Sequence, residues 1–273
     1  MFWLVIYYQF ERLDPLRYRC LTAPIFYSIL GDMIEIKNVE TMGFSSALRG
    51  MRNPYESFSK ADSGKCTPEN RRGCIGCGQQ MIDASCLSSN FAMGMSDTKL
   101  AHRLVKAGPE HRKFLRMIHV QADVKAPRRW WSEFDTYRFV EKNSSSTMHL
   151  ITKRHLTIED FSHNKFSRLA LLKTISDIND MIDVYNTTDD TVLKETMFIA
   201  IKDCLPEGFN QLRTIDTNYE ELLNIYRQRK NHRQIEWHAF CDWIRSLPYM
   251  GGFIKAYDKG LEDCNKARWC GLD

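Results

Sequence analysis

The chain has 273 residues, 43% of them hydrophobic and 26% charged, with 14 Gly and 8 Pro; this is a globular composition and excludes collagen-like, coiled-coil and wholly disordered classes. The length accommodates one large domain or two small ones, either with a core able to support a catalytic site. Thirty-eight Lys and Arg against 34 Asp and Glu leave a net charge of +4, too small a surplus to specify nucleic acid by itself.

No stretch reaches the roughly 18 to 20 apolar residues needed to cross a bilayer, so no membrane association is expected. The longest apolar run, Phe2 to Tyr8, is stopped by Gln9, Glu11 and Arg12 and lacks the basic lead and cleavage site of a secretory signal. Residues 1–32 read as an irregular leader, with Met33 as a candidate natural start and 33–273 as a single catalytic-type domain. Met33-Ile-Glu-Ile-Lys alternates as the opening of an edge strand. Leu48 and Met51 then lie at helical spacing.

Between about residues 62 and 94 the apolar rhythm gives way to Ser, Gly, Asn and four cysteines, a loop-like insertion longer than compact domains usually hold without a function or a cross-link. Cys74-Ile-Gly-Cys77 is a CxxC pair, and with Cys66 and Cys86 it could supply four thiolates to a tetrahedral zinc. The outer spacings are seven and eight residues rather than a second CxxC, so ordinary thiols on a flexible loop compete with the zinc reading. Nine cysteines without a signal peptide point to reduced thiols in a cytoplasm.

Ser96 and Asp97 open a helix that carries Leu100, Leu104 and Val105 and stops at Gly108-Pro109. A second helix is expected through His111, Phe114, Leu115 and Ile118. Val120, Ala122 and Val124 alternate with Gln121 and Asp123 as a strand with one buried face, and Pro127 suits the first turn of a following helix. Leu171, Ile175, Ile178, Ile182 and Tyr185 form one apolar stripe of a long helix spanning Phe166 to Tyr185. Further helices are expected over 191–204, 218–230 and 234–247, the last with Trp237, Phe240, Cys241 and Ile244 on one face. Many helices and few strands predict an α/β fold of the α+β type, helix-rich around a small, mainly antiparallel sheet.

The segment from Val124 to Arg138 gathers two tryptophans, several arginines and the carboxylates Glu133 and Asp135. Trp130 and Phe134 are four apart, as are Trp131 and Asp135, so a helix would place aromatics and carboxylates on adjoining faces. Glu133 and Asp135, two residues apart, point in different directions and make no acid-base pair by spacing. Arg138 with the hydroxyls of 144–147 could bind a phosphate. The plainer alternative makes the tryptophans core and the serines a turn. His102, His111 and His119 are nine and eight residues apart, which does not build the i, i+4 face of a helical metal site.

The stretch from His111 onward resembles flavin-dependent thymidylate synthases, in which a strand ending near Val-Lys-Ala-Pro leads to a helix and then to RHRxxSxNExSxRY. Laid on 136–149, Arg138, Asn143 and Ser146 match the second arginine, the asparagine and the second serine. Thr136, Tyr137, Glu141, Ser144 and Met148-His149 stand where the motif has Arg, His, Ser, Glu and Arg-Tyr. A second region keeps the family's order: Leu205-Pro206, Asn218, Leu222, Asn224, Arg229 and Gln234-Ile-Glu236-Trp-His238. The resemblance covers about 33–247 outside the cysteine insertion.

The resemblance implies a homotetramer that holds FAD and methylates dUMP or a related pyrimidine nucleotide, with methylenetetrahydrofolate as carbon donor and NADPH as reductant. It places Arg138, Asn143, Ser144, Ser146, Asn218 and Asn224 at the cofactor, and Arg128, His149, Arg229 and His238 at the substrate. His238 stands in place of a nucleotide-binding arginine and Met148 in place of another. Two other readings stay open: a catalytically inactive binding or assembly module of the same fold with a zinc-bound loop, and a nucleic-acid binder using Arg71-Arg72, Arg128-Arg129, Trp130 and Trp131.

Overall fold

The structure, a computed structural model, describes residues 34–67 and 91–269. In chain order these form β1 (Glu35–Met42), α1 (Phe44–Arg52), β2 (Gly64–Lys65), β3 (Phe91–Ala92), α2 (Met95–Ala107), β4 (His119–Pro127), α3 (Arg128–Phe134), β5 (Glu141–Ser144), α4 (Thr147–Leu150), α5 (Arg168–Thr187), α6 (Thr191–Cys204), β6 (Asn210–Asn218), α7 (Tyr219–Arg229), α8 (Ile235–Ser246) and α9 (Met250–Trp269). Short 3-10 turns lie between several of them. Among the described residues, no helix is long and apolar enough to cross a membrane. The described residues fall into two compact bodies, Ser146–Asn210 and Ile34–Ser145 together with 211–269.

The larger body is built on a four-stranded sheet ordered β1-β4-β6-β5, whose β1/β4 and β5/β6 pairings are antiparallel. The alternation along β4 decides its faces: Val120, Ala122, Val124 and Ala126 are buried, while Asp123, on the other face, accepts from Thr214 Oγ1 (2.6 Å) and Asn38 Nδ2 (2.7 Å). Helices α1, α2, α3, α7, α8 and α9 contribute to one core with that apolar face. Gly43 enters α1 at φ 95°, and a Cβ there would lie 2.0 Å from the Met117 carbonyl oxygen, so this junction requires glycine. The helix expected through His111–Ile118 is a 3-10 segment, Lys113–Met117. Few residues separate Gly108 from β4, and Phe114 and Leu115 reach the core from a single tight turn.

The base of the cysteine insertion is held firmly. β2 and β3 pair Gly64 with Ala92 and Lys65 with Phe91. Beside them the buried Arg52 donates to Asp97 Oδ1 (2.6 Å), Lys60 O (2.9 Å) and Ser96 Oγ (3.0 Å). Asp97 Oδ2 accepts the backbone N–H of Ser63 (3.0 Å), and Asp62 in turn accepts those of Ser96 (2.7 Å) and Asp97 (3.0 Å). Tyr249 Oη donates to Phe91 O (2.8 Å) and accepts from Met93 N–H (3.0 Å). Cys66 is half-buried at the edge of this ribbon; Cys74, Cys77 and Cys86 lie outside the described residues, as do residues 1–33.

The smaller body is a helical hairpin. Leu171, Ile175, Ile178 and Ile182 of α5 pack with Ile201 and Leu205, and with Ile151, Leu156 and Phe161, in a separate core. The sequence stripe on α5 is thus its buried face, and α6 spans the expected residues, opened by Asp190, whose Oδ1 accepts from Val192 N–H (2.9 Å) and Leu193 N–H (3.3 Å).

Candidate functional site

Three elements of the larger body meet around α3. Pro127, with φ −69°, ends β4 and sets the direction of α3. Over its seven residues α3 sends Trp130, Trp131 and Phe134 into the core, all at most 1% exposed. They join Trp237 and Phe240 of α8 in an aromatic cluster, Trp130 stacking on Phe134 at 4.7 Å and meeting Trp237 at 4.8 Å. Trp131 Nε1 donates to Gln211 O at 3.1 Å. With both indoles buried, the base-stacking role considered for Trp130 and Trp131 has no surface to act on; Arg71 and Arg72 lie outside the described residues.

The opposite pair on α3, Arg129 and Glu133, is four residues apart and faces α7 and α8. Arg129 pairs with the buried carboxylate of Glu236. Glu133 is the hub: it accepts from Arg229 Nη1 (2.5 Å), Gln234 Nε2 (2.9 Å) and Trp237 Nε1 (3.0 Å), with His232 Nε2 at 3.3 Å. His232 Nδ1 accepts the Gln234 backbone N–H (3.2 Å), so the ring proton sits on Nε2 and is directed at Glu133. Arg229 Nε donates to Tyr137 Oη (2.8 Å), Tyr137 Oη donates to Gln228 Oε1 (3.2 Å), and the guanidinium lies 4.6 Å over the Trp237 ring. Burial pushes the Tyr137 hydroxyl above its ordinary range, against the opposing pull of Arg229, and the phenol keeps its proton at neutral pH. His238 Nε2 donates to His232 O (2.7 Å), closing the chain of contacts.

The asparagines carried over from the resemblance have local duties. Asn218 caps α7, its Oδ1 accepting from Glu221 N–H at 3.0 Å. Asn224 accepts from Gln228 Nε2 (3.0 Å) and hydrogen-bonds the carboxyl of Glu221, whose pKa is raised by burial despite that bond. Arg138 is exposed in the turn after α3, and Asn143 and Ser144 are exposed on β5, opposite Thr214 and Arg213. Arg128 begins α3 and is half-buried. Ser146 and His149 belong to the smaller body, His149 within α4.

Arg138, Asn143 and Ser144 are all exposed and carry N–H or O–H donors of the kind that a phosphate accepts. Asn218 and Asn224 already use their side-chain oxygens as acceptors for Glu221 N–H and Gln228 Nε2. Among the described residues, no group of three or more His, Cys, Asp or Glu could hold a metal ion. The structure therefore brings together Arg229 and His238 with Glu133, Tyr137, His232, Gln234 and Trp237. Of this hub the sequence had singled out Arg229, Gln234 and His238 through the resemblance and Glu133 and Trp237 by position; it held no signal for His232 or for Tyr137 as a partner of Arg229.

The structure is similar to that of the flavin-dependent thymidylate synthase of Helicobacter pylori complexed with FAD and dUMP, with a TM-score of 0.55 at 13% identity over 84% of this chain and 99% of that one. A second structure of that enzyme with FAD and dUMP, at 2.31 Å resolution, matches with the same TM-score and identity over 82% of this chain and 98% of that one. At this identity the likeness shows the fold. No protein-family model matches the chain, and no curated protein matches it.

Proposed function

We propose that the chain is a divergent flavin-dependent thymidylate synthase-like protein that binds FAD and reductively methylates dUMP or a related pyrimidine nucleotide, with methylenetetrahydrofolate and NADPH as co-substrates. The observation that carries this is the likeness of fold over nearly the whole of an enzyme solved with FAD and dUMP. Arg138, Asn143, Ser144 and Ser146 would hold the cofactor phosphates, with Asn218 and Asn224 on the flavin side. Arg128, His149, Arg229 and His238 would border the nucleotide. Bound flavin would supply the reducing electrons. Assembly as a homotetramer and a cytoplasmic location belong to the same reading.

A second reading, a catalytically inactive binding or assembly module of this fold, is favoured by one feature: Arg229, assigned to the substrate, is already paired with Glu133 and Tyr137. A zinc held by Cys66, Cys74, Cys77 and Cys86 would suit that module. The visible spectrum of the purified protein after gel filtration, with and without added FAD, separates the two. A retained flavin band followed by dUMP-dependent NADPH oxidation is the expected result; a colourless protein that takes up no FAD sinks the enzyme reading, and metal analysis of that sample then decides the purpose of the cysteines.

A further inference from the structure

The corner around Arg229 has the components of an anion site: a guanidinium, the Gln234 amide, the Trp237 indole N–H and the His232 Nε2–H all converge on one point. That point is occupied by the carboxylate of Glu133. The guanidinium is fixed from behind by Tyr137 and covered on one face by Trp237, and its side chain is only 17% exposed. A phosphate brought to this point would compete with Glu133, a like charge already holding these donors. We infer that Glu133 is an internal counter-ion that closes this corner to anions, so that the group of a ligand meeting Arg229 is uncharged. The inference deepens the nucleotide reading above: a nucleotide phosphate is met by exposed cations such as Arg138, and the Arg229 corner selects a neutral part of the molecule, a base or a sugar hydroxyl.

The indole N–H of Trp237 reports the site directly, because it donates to Glu133 Oε2. Its proton–nitrogen NMR resonance, assigned through Trp237→Phe, is followed while inorganic phosphate is added to the full chain. In the wild-type protein the resonance should not move. In Glu133→Gln, which keeps the shape and removes the charge, it should move saturably, with phosphate bound about tenfold or more tightly than by the wild type. Glu133→Asp retains the charge and should remain silent. A saturable shift in the wild type overturns the inference without any variant, as does a folded Glu133→Gln protein that stays silent. Flavin retention measured on the same wild-type sample keeps the two ideas apart: a flavin-free protein with a silent indole removes the enzyme reading and leaves the closed corner standing.

Discussion

The buried ion pair of Arg52 and Asp97 shows how much one residue can carry, since their side chains are 3% and 2% exposed. Each partner is almost fully hydrogen-bonded, so removing one leaves the other as an uncompensated buried charge. Asp97→Ala is expected to cost about 3 to 5 kcal/mol, read from urea denaturation. Cys241 is governed by the same cost of burying charge. Burial and Asp242 push its thiol from the ordinary 9.0 up to about 12. The folded state holds the proton more tightly than the unfolded chain, so its contribution to stability is complete below pH 9.0 and is lost as pH rises toward about 12. Wild-type stability should therefore fall over that range more steeply than that of Cys241→Ala. Equal slopes in urea titrations at several alkaline pH values would contradict the assignment.

At the scale of elements, capping and periodicity explain most boundaries. Helix α6 begins at Asp190 because its carboxylate accepts two first-turn N–H groups, at 2.9 and 3.3 Å. Asp190→Ala should lower stability by about 1 kcal/mol, and Asp190→Asn by much less, in thermal or urea unfolding. Helix α3 follows a different logic. It is seven residues long and has no side-chain cap, so its stability comes from burial of Trp130, Trp131 and Phe134 rather than from propensity. Its exposed side then becomes available for chemistry: Arg129 and Glu133, one turn apart, pair with residues of α8 and of α7. Strand β5 was not apparent in the sequence because Glu141–Ser144 has no apolar alternation; its pairing with β6 forms it.

At the scale of the molecule, two cores share one chain. Ile178 is fully buried in the core of the 146–210 body. Ile178→Ala should cost about 2 to 5 kcal/mol in that core. Hydrogen exchange at the amides of α5 and α6 should accelerate accordingly, and unchanged protection there would mean that α5 is held by something other than this stripe. The likeness to a solved thymidylate synthase spans nearly all of that enzyme, while the identity of 13% leaves the chemistry to individual residues. Tyr137, which the resemblance sets against the motif's histidine, has its hydroxyl bonded to Arg229.

Local pattern was sufficient for the helices at 95–107, 168–187, 219–229 and 235–246, each of which buries an apolar face, and for 191–204, which buries little beyond Ile201 but is bounded by the Asp190 cap and Leu205-Pro206. It was sufficient too for the buried face of β4 and for the helix-rich fold with a small sheet. The sequence could not place the partners of Glu133, which lie 96 to 104 residues away along the chain. Nor could it show that Trp130 and Trp131 point inward. Those outcomes depend on which helix faces which, a matter of long-range packing, and on desolvation, which makes a half-buried carboxylate gather every donor within reach. The sequence alone determined the fold class and most of the helices; β5, β6, the helix Met250–Trp269 and the fact that Arg229 already has its anion were decided only by the tertiary structure.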